Sequence, residues 1–316
     1  MVGTKKPNII GRIVVATLVG IVLIAVFVFV SHGRSVPVLN THGTIADQER
    51  DLIYFTVILG ALVVIPVFVM LFTIAWKYRE TNTKARYEPL YTSDKRFEFL
   101  WWGIPCFIII ILAIVTAVAT HNLDPYRPLR SSVKPVNVQV VALQWRWLFI
   151  YPDQGVASMN TMVIPANTPI NLSITSDAPM NSFWVPALAG QIYAMSGMST
   201  QLHLMADTAG SYVGSSANIS GTGFASMRFV VTAVSPQGFT HWATQAAHSS
   251  AMLTAKKYAS LAQPSTDESS QLFMLMDKNL YNEIIVNTMG MSSTKTPAAS
   301  NKEPKGMSSM PGMDMK

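Results

Sequence analysis

Apolar residues fall in three long unbroken runs near the start of the chain and in short runs afterwards. Ile13 to Val30 is 18 residues without a charge, Leu52 to Trp76 is 25, and Phe99 to Thr120 is 22. A helix needs ~20 apolar residues to cross a bilayer, so the second and third runs predict membrane spans. Pro66 and Pro105 lie inside them; neighbouring helices can satisfy the backbone groups a proline frees. Two such runs separated by 22 residues read as a hairpin rather than as core helices of a large soluble protein.

Beyond residue 121 the period changes. Short runs at Val136–Leu143, Trp145–Tyr151, Thr161–Ile164, Ile170–Thr175, Ser182–Val185, Gln201–Met205 and Met227–Val234 are divided by turn residues such as Pro152-Asp153-Gln154-Gly155 and Gly221-Thr222-Gly223. Short strands at this spacing predict an antiparallel β-sandwich over 121–234, of a size that can bury a core by itself. After Pro236 the stretches Phe239–His248, Ala255–Ala262 and Ser270–Val286 read as short helices, giving a helical extension over 235–288. Residues 289–316, rich in Ser, Thr, Lys, Pro, Gly and Met, read as a disordered tail.

Composition sharpens this division. Only 13% of residues are charged, against about 25% in a typical soluble domain. A single cysteine, Cys106, excludes a disulfide scaffold and cysteine-rich metal sites. The net charge of +6 is largely explained by the loop between the two spans, with Lys77, Arg79, Lys84, Arg86, Lys95 and Arg96. Such a loop belongs in the cytoplasm, and Trp76, Trp101 and Trp102 sit at the helix ends facing it. The positive charge is therefore a topology signal, and no nucleic-acid partner is expected. Lys5, Lys6 and Arg12 before the first run fit a secretory signal, but the run is long and no small-residue cleavage site follows. An uncleaved third helix is preferred for 1–33, with a cleaved signal as the alternative; 34–120 then forms the hairpin.

The chemistry is sparse. No phosphate-binding glycine loop and no nucleophile elbow is present. The histidines, His32, His42, His121, His203, His241 and His248, form no H-x-x-x-H pair. His203, between Leu202 and Leu204, reads as a sandwich-face residue rather than a ligand. Met307, Met310, Met313 and Met315 have the M-x-x-M look of a soft-metal site, weighed against an inert tail.

Three segments carry a family resemblance: Gln144-Trp145-Arg146-Trp147, Met180-Asn181-Ser182-Phe183-Trp184-Val185-Pro186, and Ser216 to Met227. Following a two-helix hairpin, they resemble subunit II of the haem–copper respiratory oxidases, whose exported domain is a cupredoxin sandwich. In the cytochrome c-oxidising branch, the second and third segments hold a dinuclear copper centre through two histidines, two cysteines, a glutamate and a methionine. Here the histidine positions are Asn181 and Phe224, the cysteine positions Ser216 and Ser220, and the glutamate position Asn218; Met227 alone is kept. Copper of that kind needs thiolate and imidazole, and one thioether is a poor remainder. Loss of these ligands marks the quinol-oxidising branch. Trp76-Lys77-Tyr78-Arg79, Phe149 to Gly155, Pro165-Ala166-Asn167-Thr168-Pro169 and Gln191 to Met198 extend the resemblance to cytochrome bo-type ubiquinol oxidases. Lipid-anchored members carry a cysteine near the position of Arg34, so lipidation is not carried over.

The resemblance implies a subunit without catalytic residues, haem or copper of its own. Its partners would be subunit I, bearing haem and copper, the other oxidase subunits and membrane lipids, but not cytochrome c. Ubiquinol would be the substrate of the complex, with menaquinol, or a membrane-tethered binding or assembly role outside any respiratory complex, as alternatives. The complex would reduce oxygen and pump protons from the bacterial inner membrane, with the sandwich in the periplasm. Glu98, at the cytoplasmic start of the third run, matches a glutamate at the mouth of the family's proton channel; a headgroup-level carboxylate paired with Lys95 or Arg96 is the plainer reading. Trp145 and Trp147, two apart, are expected on one strand face, in packing roles.

Overall fold

The computed structural model describes residues 36–84 and 94–294. The run Ile13–Val30 and the methionines Met307 to Met315 lie outside them.

Two helices come first, α1 (Thr44–Lys77) and α2 (Lys95–Asn122). Each contains its proline, and both are long and apolar enough to cross a membrane. At 1.5 Å per residue α1 is about 50 Å long, well beyond a hydrocarbon core of about 30 Å. The surplus is the polar first two turns, Thr44 to Asp51, and these dock on the sandwich. The His42 N–H donates to Ala187 O (2.7 Å) and the Asp207 N–H to His42 O (2.9 Å). Thr44 Oγ1 donates to Asp207 Oδ1 (3.1 Å). At the other end Asp94 caps α2, accepting from the Arg96 N–H at 2.9 Å.

The part that follows the two helices is a two-sheet sandwich. Its strands in chain order are β1 (Val136–Ala142), β2 (Trp147–Tyr151), β3 (Val156–Met159), β4 (Thr161–Pro165), β5 (Ile170–Ser176), β6 (Asn181–Trp184), β7 (Gln191–Ala194), β8 (Thr200–Leu204), β9 (Gly210–Ser216) and β10 (Arg228–Val234). Then follow α3 (Pro236–Ala247), β11 (Met252–Leu253), α4 (Ala255–Leu261), β12 (Gln271–Leu275) and α5 (Leu280–Thr294). One sheet runs β11-β12-β3-β2-β1-β5-β8, the other β4-β10-β9-β6-β7.

Strand β2 shows how the core is divided. Alternate side chains leave a strand on opposite faces. Trp147, Phe149 and Tyr151 enter the space between the sheets. Leu148 and Ile150 enter a second cluster, with Leu261, Phe273, Leu275, Tyr281 and Ile284 from the C-terminal extension. The strand is therefore buried on both faces and reads as an unbroken apolar run. Between the sheets, Phe183 and Phe229 stack at 4.9 Å, with Trp147 against both rings at 5.4 Å. Offset and edge-on aromatic pairs of this kind add about 0.5–1.5 kcal/mol beyond their burial.

Four expectations need correction. The sandwich is not wholly antiparallel: β5 runs parallel to β1, β4 to β10 and β11 to β12. Ser270–Val286 is not one helix: Gln271–Leu275 is strand β12, antiparallel to β3, with Phe273 opposite Ala157. Its apolar residues suit either period, and the open edge of β3 decides between them. The helix that follows, α5, runs to Thr294, past Met289 where a disordered tail was expected. Trp145 and Trp147 do not share a strand face. Trp145 precedes β2 in a left-handed conformation (φ 68°), and only Trp147 lies between the sheets.

Candidate functional site

The positions that would hold copper in the resembled family do come together. Asn181 opens β6, Ser216 closes β9, and Asn218, Ser220, Phe224 and Met227 lie on the loop running from β9 to β10. Asn181 and Ser216 are 1% and 5% exposed, and Met227 is fully buried. Ser216 Oγ donates to Asn181 Oδ1 (3.2 Å) and reaches Asn218 O at the same distance. Asn181 Nδ2 donates to Pro179 O (2.7 Å), and Asn218 Nδ2 to Met180 O (2.8 Å). The two amides and the hydroxyl thus tie β6, β9 and the loop together, where a bound metal would otherwise do so. Among the described residues, Ser220 Oγ is buried without a partner.

These donors do not fit a thiolate–imidazole copper centre. Amides and hydroxyls that stay protonated near neutral pH are hard, weak ligands for copper, and the Phe224 ring has no lone pair. The amide groups are also engaged with the backbone. Among the described residues, no group of three His, Cys, Asp or Glu side chains is placed to hold a metal ion.

Trp145 lies over the same loop. Its Nε1 donates to Ser220 O (3.3 Å). A Cβ on Gly223 would come within 2.3 Å of the Trp145 ring, so only glycine allows the ring to lie flat on the loop. The left-handed backbone at Trp145 is what turns the ring towards this loop and away from the strand face, and nothing in the alternation of the sequence signals it. Trp147 hydrogen-bonds through its backbone N–H to Asn160 Oδ1 (2.9 Å).

His203 lies on β8 opposite Asn171 of β5, as a sandwich-face residue. It is 8% exposed, and its Nδ1 is 2.8 Å from Asn171 Oδ1. Burial pushes its pKa down. Glu98 lies far from these groups in sequence and element, in the first turn of α2, exposed. Among the described residues it forms no ion pair with Lys95 or Arg96.

Sequence reading missed Arg146. It is buried, and its guanidinium donates to Leu261 O and Gln263 O, clamping the end of α4. Asn160 Nδ2 donates to Asp267 O (2.9 Å), and Tyr258 donates to Asp177 Oδ2. A lone buried arginine within an aromatic run was the available signal.

The family models match in two places: the periplasmic domain of cytochrome c oxidase subunit II over residues 155–234, and the COX aromatic-rich motif over 248–292. The cytochrome bo(3) ubiquinol oxidase subunit 2 of Pseudomonas aeruginosa is 46% identical over 253 residues, covering 80% of this chain and 76% of that one. The chain belongs to the family of ubiquinol oxidase subunit 2. The ubiquinol oxidase subunit 2 of Acetobacter aceti is 43% identical, covering 80% of this chain and 83% of its own. The quinol oxidase subunit 2 of Bacillus cereus is 37% identical, covering 73% and 80%. The aromatic-rich match corresponds to the C-terminal cover over β2 and β3, with Tyr258, Phe273 and Tyr281 in contact with the sandwich. The chain is thus two long apolar helices, a sandwich and a C-terminal cover packed on it.

Proposed function

We propose that this chain is the non-redox scaffold subunit of a proton-translocating terminal ubiquinol oxidase in a bacterial inner membrane. The observation that carries this reading is the former copper pocket, intact in shape but closed by the Asn181–Ser216 hydrogen bond. A haem–copper oxidase subunit II with such a pocket has no entry point for electrons from cytochrome c. Quinol, which is membrane-soluble, delivers electrons inside the bilayer and needs no exported relay.

Haem and copper then belong to subunit I, and ubiquinol is oxidised there. This chain holds the hairpin against that subunit and covers its outer face with the sandwich, in the periplasm. The basic loop Lys77 to Arg96 keeps the hairpin's other end in the cytoplasm. Glu98, exposed in the first turn of α2, stands at that cytoplasmic end and collects protons for a channel in subunit I. A carboxylate near the membrane edge can do this when the partner subunit partly buries it.

Expression of the tagged chain with its neighbouring subunits tests the scaffold role. Copurification with a haem-bearing subunit and oxidation of ubiquinol by the preparation are expected. A chain that purifies alone, or a complex that prefers a soluble haem protein as donor, would refute it. For Glu98 the test is Glu98→Ala in the assembled oxidase. Lower turnover and slower proton uptake are expected, with haem content unchanged; wild-type values would remove the role.

A further inference from the structure

We propose that Glu49 is an acid-operated latch between α1 and the sandwich: the joint tightens when the Glu49 carboxyl takes up a proton and loosens when it gives it up. Ile45, Ala46 and Glu49 are three and four residues apart, so they share one face of α1. That face meets the sandwich. Ile45 packs against the inter-sheet core, Ala46 is buried, and the Ala46 N–H donates to Leu188 O (3.3 Å). Glu49 follows on the same face, in the polar turns that precede the apolar run. It is half-buried, with Oε1 against the main chain of Gly190. Only glycine leaves room for it there, because a Cβ on residue 190 would collide with the carboxyl group.

The docked position gives the carboxylate no partner. Among the described residues it has neither a hydrogen-bond donor nor a cation. The one guanidinium of these turns, Arg50, is held by Asp47 (3.0 Å) and Asp51 (3.2 Å). On the sandwich side, Asp207 accepts from Thr44 Oγ1 (3.1 Å), and the His42 ring lies against Tyr212 with centroids 5.3 Å apart. Asp47, Glu49, Asp51 and Asp207 thus share the joint with a single arginine, and Glu49 is the carboxylate it leaves over. An unpaired charge that is half out of water is disfavoured, and burial pushes the Glu49 pKa up from the ordinary carboxylate value.

Linkage fixes the direction. The docked carboxyl holds its proton more tightly than the undocked one. Docking is therefore fully supported below the ordinary carboxylate pKa, and that support is lost as pH rises through the docked value. The loss is local. The His42 N–H bond to Ala187 O and the Asp207 N–H bond to His42 O involve no titrating atom, so the joint loosens in alkali without parting.

Hydrogen exchange of the detergent-solubilised full chain tests this, with rates corrected for the intrinsic effect of pH. The peptide covering residues 36–46 reads the joint between about pH 4 and pH 8, and strands β1 and β2 report any global unfolding. The wild type should be protected in acid and lose protection at a midpoint above the ordinary value of 4.5. The loss should be about tenfold for each pH unit by which docking raises the carboxyl. Glu49→Gln, neutral throughout, should keep the acid-form protection at every pH. Gly190→Ala moves the carboxyl into water without removing it, so its midpoint should fall back towards 4.5; it also serves if Glu49→Gln does not fold. A wild-type joint whose protection does not change with pH would overturn the latch. So would the same step in all three proteins, which would assign the response to His42 or Asp207.

Discussion

At the scale of single residues, the closed pocket is a hydrogen-bonding unit, and its energetics follow from that. Removing Ser216 leaves Asn181 Oδ1 buried and unsatisfied, removing Asn181 leaves Ser216 Oγ with Asn218 O alone, and removing both strands neither side chain. Ser216→Ala and Asn181→Leu should each destabilise the full chain by about 1–3 kcal/mol, and the double variant by clearly less than their sum. Urea unfolding of the detergent-solubilised chain, followed by tryptophan fluorescence, measures the coupling; strict additivity would mean the two groups act independently. His203 makes a pH prediction. Its folded pKa lies below the unfolded one because burial disfavours the cation. The unfolded chain therefore takes up the proton first, and stability present above the ordinary histidine pKa is lost as pH falls through it towards the folded value. Thermal unfolding between pH 7.5 and 5 should show that loss in the wild type and a smaller one in His203→Gln; identical slopes would assign the pH response to other groups.

At the scale of elements, the C-terminal cover is a layer of the sandwich rather than an appendage. Phe273 on β12 is buried and packs into the cluster beneath Leu148 and Ile150. Phe273→Ala should cost about 3–5 kcal/mol and make the segment from β11 to α5 sensitive to limited proteolysis, with the strands between β1 and β10 still protected. Cleavage throughout the sandwich at the same rate would instead show a single cooperative unit. This layer is also where the sequence is hardest to read. The hairpin is plain in two uncharged runs, and strands such as Ile170–Ser176 are plain in their composition. Val156–Met159 and Gly210–Ser216 are less so: the first is four residues long and the second is rich in glycine and serine, and both are strands because neighbours pair with them. Gln271–Leu275 fails for the same reason. Its periodicity fits helix or strand, and only the free edge of β3 selects between them. The pocket positions were legible as a pattern of missing ligands. What replaced those ligands, a network routed through Pro179, Met180 and Asn218 carbonyls, depends on tertiary geometry that no spacing encodes.

At the scale of the whole molecule, the sandwich is tied to the first apolar helix by a small set of polar contacts. The described contacts form a joint: the two polar turns of α1, the segment around Ala187–Leu188 and the loop at Asp207. Gly43 is its tightest point. A Cβ there would come within 2.6 Å of Leu188 O and 2.7 Å of Met205 O, and neither backbone oxygen can yield as a flexible side chain would. Gly43→Leu should therefore part the sandwich from the helix; it presses on the inter-sheet core only at its rim, around Leu188, and leaves the aromatic centre and the cluster under the C-terminal cover in place. The expected outcome is a chain that still inserts and still carries a folded sandwich, but whose 36–43 segment becomes open to protease and whose complex oxidises quinol more slowly. Asp207→Ala breaks only the Thr44 side-chain hydrogen bond and should give a weaker form of the same effect, since the His42 backbone bonds remain. Near-UV circular dichroism reports whether the aromatic core survives, and turnover per haem reports whether the joint matters. A Gly43→Leu enzyme with full turnover would show that subunit I alone positions the sandwich, and the helix would then be an anchor and not a strut.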